Sequence, residues 1–86
     1  MDSKLQTMGR QIVVLDRGWV YVGDVSKTDE VVTIANAKNV RRWGTRKGLG
    51  ELATEGPKPN TVLDEAGTVT APMRAVIHFI ACPAQF

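Results

Sequence analysis

The stretch RRWGTRKGLGEL, residues 41–52, is where the hydrophobic period of the chain changes. Upstream of it the apolar residues come in short β-branched runs. From Leu49 onward they fall at 49, 52 and 53, the i, i+3, i+4 spacing that gives one apolar side to about two turns of helix. Gly56-Pro57 ends that helix, with glycine just past the last turn and proline unable to continue it. The segment therefore predicts one short helix near residues 49–55, set among strands, and excludes a pure meander.

Working outward, Gln11–Leu15 is an apolar, β-branched first strand. Asp16-Arg17-Gly18 is a turn whose glycine suits positive φ, and Trp19–Val25 alternates as a second strand, with Gly23 marking a bulge or a close approach. A polar turn at 26–30 leads to a third strand, Val31–Asn36, and Asn39–Trp43 reads as a short fourth strand or an extended loop. Beyond the helix, Thr61–Leu63 and Thr68–Thr70 flank Asp64-Glu65-Ala66-Gly67 as a hairpin, and Met73–Ala81 forms an apolar last strand. Residues 1–9 lack periodicity and read as a disordered arm, leaving 10–86 as a single small domain. The fold class expected is mainly β, a small β-barrel or sandwich-like domain of six or seven short strands with one helix.

A chain of 86 residues buries about two-thirds of its unfolded surface and gains from a staple or a partner. One cysteine, Cys82, excludes an intrachain disulfide, and one histidine, His78, leaves no Cys/His zinc spacing. Homo-oligomerisation is the remaining support, and the apolar strand at 73–81 is a natural surface for it. No apolar run approaches the roughly 20 residues of a membrane span, and MDSKLQTMGR has no apolar core of a secretory signal. With a lone cysteine, this points to a cytoplasmic protein with no membrane partner.

The net charge of +2 is modest, but its distribution is not even. Lys38, Arg41, Arg42, Arg46 and Lys47 lie in a stretch, Val31 to Gly50, that contains no acid. Gly44, Gly48 and Gly50 leave backbone N–H groups approachable, and the start of the helix presents unsatisfied donors. Arginine offers a planar fork to phosphate and Trp43 a face for a flat base. Residues Arg41, Arg42, Trp43, Gly44, Thr45, Arg46, Lys47, Gly48 and Gly50 are thus the candidate ligand-binding set, for an anionic, nucleotide-like small molecule. The segment matches neither the P-loop nor a GxGxxG turn. The competing reading is architectural: glycines shaping a strand-to-helix crossing, Trp43 in the core, and a solvated cationic face. If 39–43 is a strand, Arg41 and Trp43 share one face and Arg42 the other. The two arginines would then serve one ligand only across a subunit interface.

Catalysis finds little support. His78 lies within an apolar strand, Asp64-Glu65 read as turn formers, and Cys82 has no activating partner in sequence. No nucleophile, base and orienter assemble, so the expectation is a non-enzymatic protein without cofactor or metal.

The blocks RGWV at 17–20, VGD at 22–24, VRRWGT at 40–45, KGLGEL at 47–52, GP at 56–57 and TVLD at 61–64 resemble a family of small phage and prophage proteins of uncharacterised function. The resemblance runs from about Ile12 to Ile80 and is densest in the opening segment. It implies a phage origin and action in the cytoplasm of a bacterial host, and names no ligand. In that setting the expected function is sequestration of a nucleotide immune signal, an anti-defence sponge. An accessory nucleic-acid-binding or protein-interaction module is the alternative.

Overall fold

The computed structural model describes residues 5–84 and 86. Five antiparallel strands form one sheet: β1 (Gln6–Leu15), β2 (Val20–Lys27), β3 (Val31–Arg42), β4 (Val62–Pro72) and β5 (Val76–Ala81). The helix α1 spans Leu49–Glu55, as its spacing predicts. The strand order is β4-β3-β2-β1-β5, so the sheet is open and neither barrel nor sandwich describes it. Mainly β holds.

The count of six or seven strands falls to five because two apparent breaks are bulges. Asn36 adopts φ 51, and between Ile34 and Ala37 the ladder to β4 shifts by one residue without ending. What reads as separate strands at 31–36 and 39–43 is therefore one bent strand, ending at Arg42. Likewise Asp64-Glu65-Ala66-Gly67 does not reverse the chain. Gly67, at φ 70, lies opposite Ala37, and β4 runs through it. A left-handed residue serves equally in a turn and a bulge, and the partner strand decides which. The last strand is also shorter than expected, since Met73–Ala75 forms a 3-10 turn.

The expected arm at 1–9 is corrected from residue 6 onward. Gln6 and Thr7 pair with Lys27 and Ser26, and a bulge at Met8 precedes Gly9↔Val25. Cross-strand hydrogen bonds here replace the missing hydrophobic pattern. Residues 1–4 lie outside the described residues.

Alternation puts apolar residues on both faces of the sheet. On one face Ile12, Val20, Val22 and Val40 meet Leu52 and Ala53 of α1 and Cys82 of the C-terminal segment. On the other, Val13, Leu15, Val25, Val32, Ile34 and Ala37 cluster with Val69 and Ala71 of β4 and Val76 and Phe79 of β5. A flat sheet would hold β4 and β5 about 19 Å apart, four gaps of about 4.8 Å each. Joined by three residues and sharing one cluster, they require the sheet to curl around that face.

Gly23 sits where β3 bulges toward β2. A Cβ there would stand 2.6 Å from Ile34 Cγ2 and 2.7 Å from the Ala35 carbonyl oxygen, so the close approach expected of this glycine is real. The C-terminal segment closes the helix-covered face. Ala84 N–H donates to Ala53 O, and Arg10 donates through Nε and Nη2 to the Phe86 carbonyl oxygen while also pairing with Asp24. Burial pushes the Cys82 thiol above its ordinary pKa, in keeping with an inert packing role.

Candidate functional site

The crossing from β3 to α1 is held by its own hydrogen bonds. Thr61 Oγ1 donates to Trp43 O at 2.6 Å and accepts from Lys58 N–H at 2.8 Å, so the 58–61 loop grips the chain just after β3. Gly44, at φ 66, lies against that loop so closely that a Cβ would overlap the Asn60 carbonyl group. Thr45 Oγ1 donates to Gly48 O at 2.5 Å and shapes the entry to α1. Gly48 caps the helix at φ 77 with no side-chain hydrogen bond.

At the helix start, Glu51 reaches back and accepts the Lys47 backbone N–H at 3.0 Å. This is close to a capping box, and it sets a carboxylate where an anion was expected. Gly50 lies inside α1 with no positive φ and nothing within 4 Å of a built Cβ. Nothing in the backbone at Gly50 therefore calls for glycine, whereas Gly48 calls for it through its φ of 77. Gly50→Ala should stabilise the protein by about 0.5–1 kcal/mol, because glycine in a helix interior carries excess unfolded-state entropy. Thermal melts would check this, and a fall in melting temperature would show an unseen steric demand.

Arg41 and Arg42, with Val62, line one hollow of about 370 Å³. Strict alternation would send the two arginines to opposite faces. The ladder instead jumps from Val40↔Leu63 to Arg42↔Val62, so Arg41 is an extra residue at a bulge where alternation is interrupted, and both arginines line the same hollow. Within one subunit, then, the two arginines come together.

A second hollow of about 270 Å³ is lined by Arg17, Gly18, Trp19, Asn39, Val40 and Arg41. Arg41 thus borders both. Its Nε lies 2.9 Å from Asp64 Oδ2 and its Nη2 3.4 Å from Oδ1, a two-point pairing at the surface that orients the guanidinium. Arg42 makes no ion pair among the described residues and is exposed.

The remaining candidates lie apart. Trp43 is 45% exposed, which removes it from the core, but it lines neither hollow. Gly44 and Thr45 serve the crossing. Arg46 and Lys47 are exposed beyond the hollows, and Gly48 and Gly50 are outside their linings. Lys58, though nearby in the chain, is tied to Glu55 at 2.8 Å, and this hydrogen bond holds the Glu55 carboxyl below its ordinary pKa.

Sequence reasoning missed Arg17, Trp19, Asn39, Val62 and Asp64. Trp19 was legible in principle, since a β2–β3 hairpin register of Tyr21↔Asn39 carries Trp19 to the level of Arg41 one pleat further on. Val62 and Asp64 depend on the bulged β3–β4 register, which leaves no local trace.

Among the described residues, no three His, Cys, Asp or Glu side chains gather as a metal site would need, and no helix is long and apolar enough to cross a membrane. No family model, curated protein or solved structure matches the chain.

Proposed function

We propose that the protein is a non-enzymatic binding protein whose Arg41–Arg42 hollow takes a phosphate-bearing small ligand. The observation that carries the reading is the convergence of two exposed arginines, one of them unpaired, on a hollow at the lower end of the 300–1,000 Å³ range typical of small-ligand sites. Charge-assisted hydrogen bonds from the guanidinium forks are the means of capture. In the phage setting implied by the resemblance, the ligand is a nucleotide immune signal and the activity is sequestration in the host cytoplasm.

The hollow is open to solvent, so capture is tightest if a second copy closes over it. The free edge of β5, at the other end of the strand order from β4, favours self-association: it has no charged residue, and Ile77 is 57% exposed. The opposite edge, β4, carries Asp64, Glu65, a bulge at Gly67 and a terminal Pro72, the features that discourage strand pairing. Light scattering at micromolar concentration should give a multiple of 9.4 kDa, and Ile77→Lys should return the protein to monomer mass. A wild-type monomer at high concentration would remove the shared-site idea.

Calorimetry against cyclic dinucleotides, cyclic mononucleotides and ADP-ribose isomers tests the binding reading. Arg42→Ala should weaken binding by about 1.5–3 kcal/mol, the range for hydrogen bonds to charged groups, with an unchanged melt. A flat result across the panel removes the reading.

The openness of both hollows and the half-exposed Trp19 and Trp43 favour, as a second reading, a surface for single-stranded nucleic acid. Salt separates the two. A strand bridging several phosphates loses affinity steeply with salt, and one small ligand only shallowly.

A further inference from the structure

We propose that the second hollow, between the Arg17–Trp19 turn and Asn39–Arg41, is a base-stacking subsite, so that the two hollows together take one nucleotide with its phosphate at Arg41 and Arg42 and its base on Trp19. The inference rests on the phosphate reading of the first hollow and adds the chemical class of what is attached to that phosphate.

The shared wall is the first support. Arg41 borders both hollows, and its pairing with Asp64 uses Nε and Nη2, leaving Nη1 free to meet an anion. A molecule held there extends on one side toward Arg42 and on the other toward Trp19. The tryptophan is the second support. Trp19 is 56% exposed at the mouth of a hairpin, so its ring offers an uncovered face, and aromatic faces are the common platform for bases of any sequence.

Asn39 supplies the third. Its Nδ2 donates to Val20 O at 3.1 Å, which orients the amide and leaves Oδ1 as an acceptor in the lining of the hollow. An exocyclic amine on a base, as on adenine, is the donor such an oxygen would take. Finally, Arg17 occupies a left-handed conformation, φ 65 and ψ 19, in the three-residue turn Asp16–Gly18, which Gly18 completes at φ 82. Glycine or asparagine fills that position with less strain, and here a cation stands beside the tryptophan.

The test compares AMP with ribose 5-phosphate, which lacks the base, by calorimetry and tryptophan fluorescence. The proteins are wild type, Trp19→Ala, Trp19→Phe and Trp43→Phe. AMP should bind wild type roughly 5- to 150-fold more tightly than ribose 5-phosphate, the value of one stacked base. Trp19→Ala should bring AMP down to the affinity of ribose 5-phosphate without changing the latter. Trp19→Phe should restore part of the difference, and quenching by AMP should persist in Trp43→Phe. Equal affinities for the two probes in wild type would overturn the subsite while leaving the phosphate reading intact. Loss of both probes alike in Trp19→Ala would likewise overturn it, marking a structural role for the ring. Failure of both probes to bind wild type would overturn the subsite and the phosphate reading together. Binding of a thymidine oligonucleotide with no response to AMP would give the surface to single strands and end the proposal.

Discussion

Gly44→Ala is expected to cost about 3–5 kcal/mol, from two sources that add. A non-glycine residue at φ 66 carries about 1–2 kcal/mol of left-handed strain. The new Cβ would also overlap the Asn60 carbonyl carbon and stand 2.5 Å from both Asn60 O and Thr61 N. These are backbone atoms and have no rotamer by which to yield. Relief requires the 58–61 loop to move off the crossing, which breaks the Thr61 Oγ1 to Trp43 O hydrogen bond and disturbs the Lys58–Thr61 pair. A domain of 86 residues has about 4–13 kcal/mol to lose, so the variant should be largely unfolded at 37 °C or melt tens of degrees lower. Gly48→Ala is the internal comparison. It shares the positive φ, at 77, but has open space around the new Cβ, so its cost should stay near the strain alone, about 1–2 kcal/mol. Circular dichroism melts of the two variants beside Gly50→Ala should rank Gly44 far below Gly48, and Gly48 below wild type. Equal melts for Gly44→Ala and Gly48→Ala would show that the loop is not packed against the crossing.

That three glycines within seven residues behave so differently shows what the sequence carries and what it does not. The helix at 49–55 is legible because its signals, the 49/52/53 spacing and the Gly56 stop, act over a few residues. The turn at 16–18 is legible for the same reason. Asn36 and Gly67 are not, because a left-handed residue between extended segments marks either a turn or a bulge, and the choice is made by strands distant in sequence. Residues 6–9 escaped for the same cause: their partners on β2, not their own pattern, make them a strand. The candidate site divides along this line. Arg41 and Arg42 were visible as a local charge excess, but their meeting in one hollow depends on a bulge. Trp19 comes to Arg41 only through the β2–β3 pairing, which composition does not record, whereas Asn39 stands two residues before Arg41 on the same strand.

Leu52→Ala should remove about 3–5 kcal/mol, near the upper end for a buried leucine, and should undock α1 before the sheet melts. Leu52 has no exposed surface and stands against Ile12, Val20, Val22 and Val40 on the helix-covered face of the sheet. The helix has seven residues, and Leu52 and Ala53 are the two it buries. A helix this short is unstable by itself in water, where about 12–15 residues are needed, so its existence depends on that docking. Truncation removes the larger of the two buried side chains and leaves a cavity that the strands, fixed by their ladder, cannot collapse into. The loss also propagates along the backbone. Gly56 N–H caps the helix on Leu52 O, and Ala84 N–H ties the C-terminal segment to Ala53 O, so an undocked helix releases the cover over Cys82. The variant should therefore show a lower melting temperature, by roughly 12–40 °C at about 4–8 °C per kcal/mol, and faster labelling of the Cys82 thiol at temperatures where the sheet signal is still native. Leu49→Ala, at a half-buried position of the same helix, should cost less and leave the thiol slow. A loss below about 1 kcal/mol for Leu52→Ala would contradict the packing of α1 on the sheet. Coincident melting and thiol labelling would instead make helix and sheet one cooperative unit. Because Arg41, Arg42 and Trp19 are borne by the sheet and its hairpin turn, the folded fraction of either variant should keep its affinity for a phosphate-bearing ligand. That separation of stability from binding distinguishes a helix that only covers the core from one that helps to hold the anion.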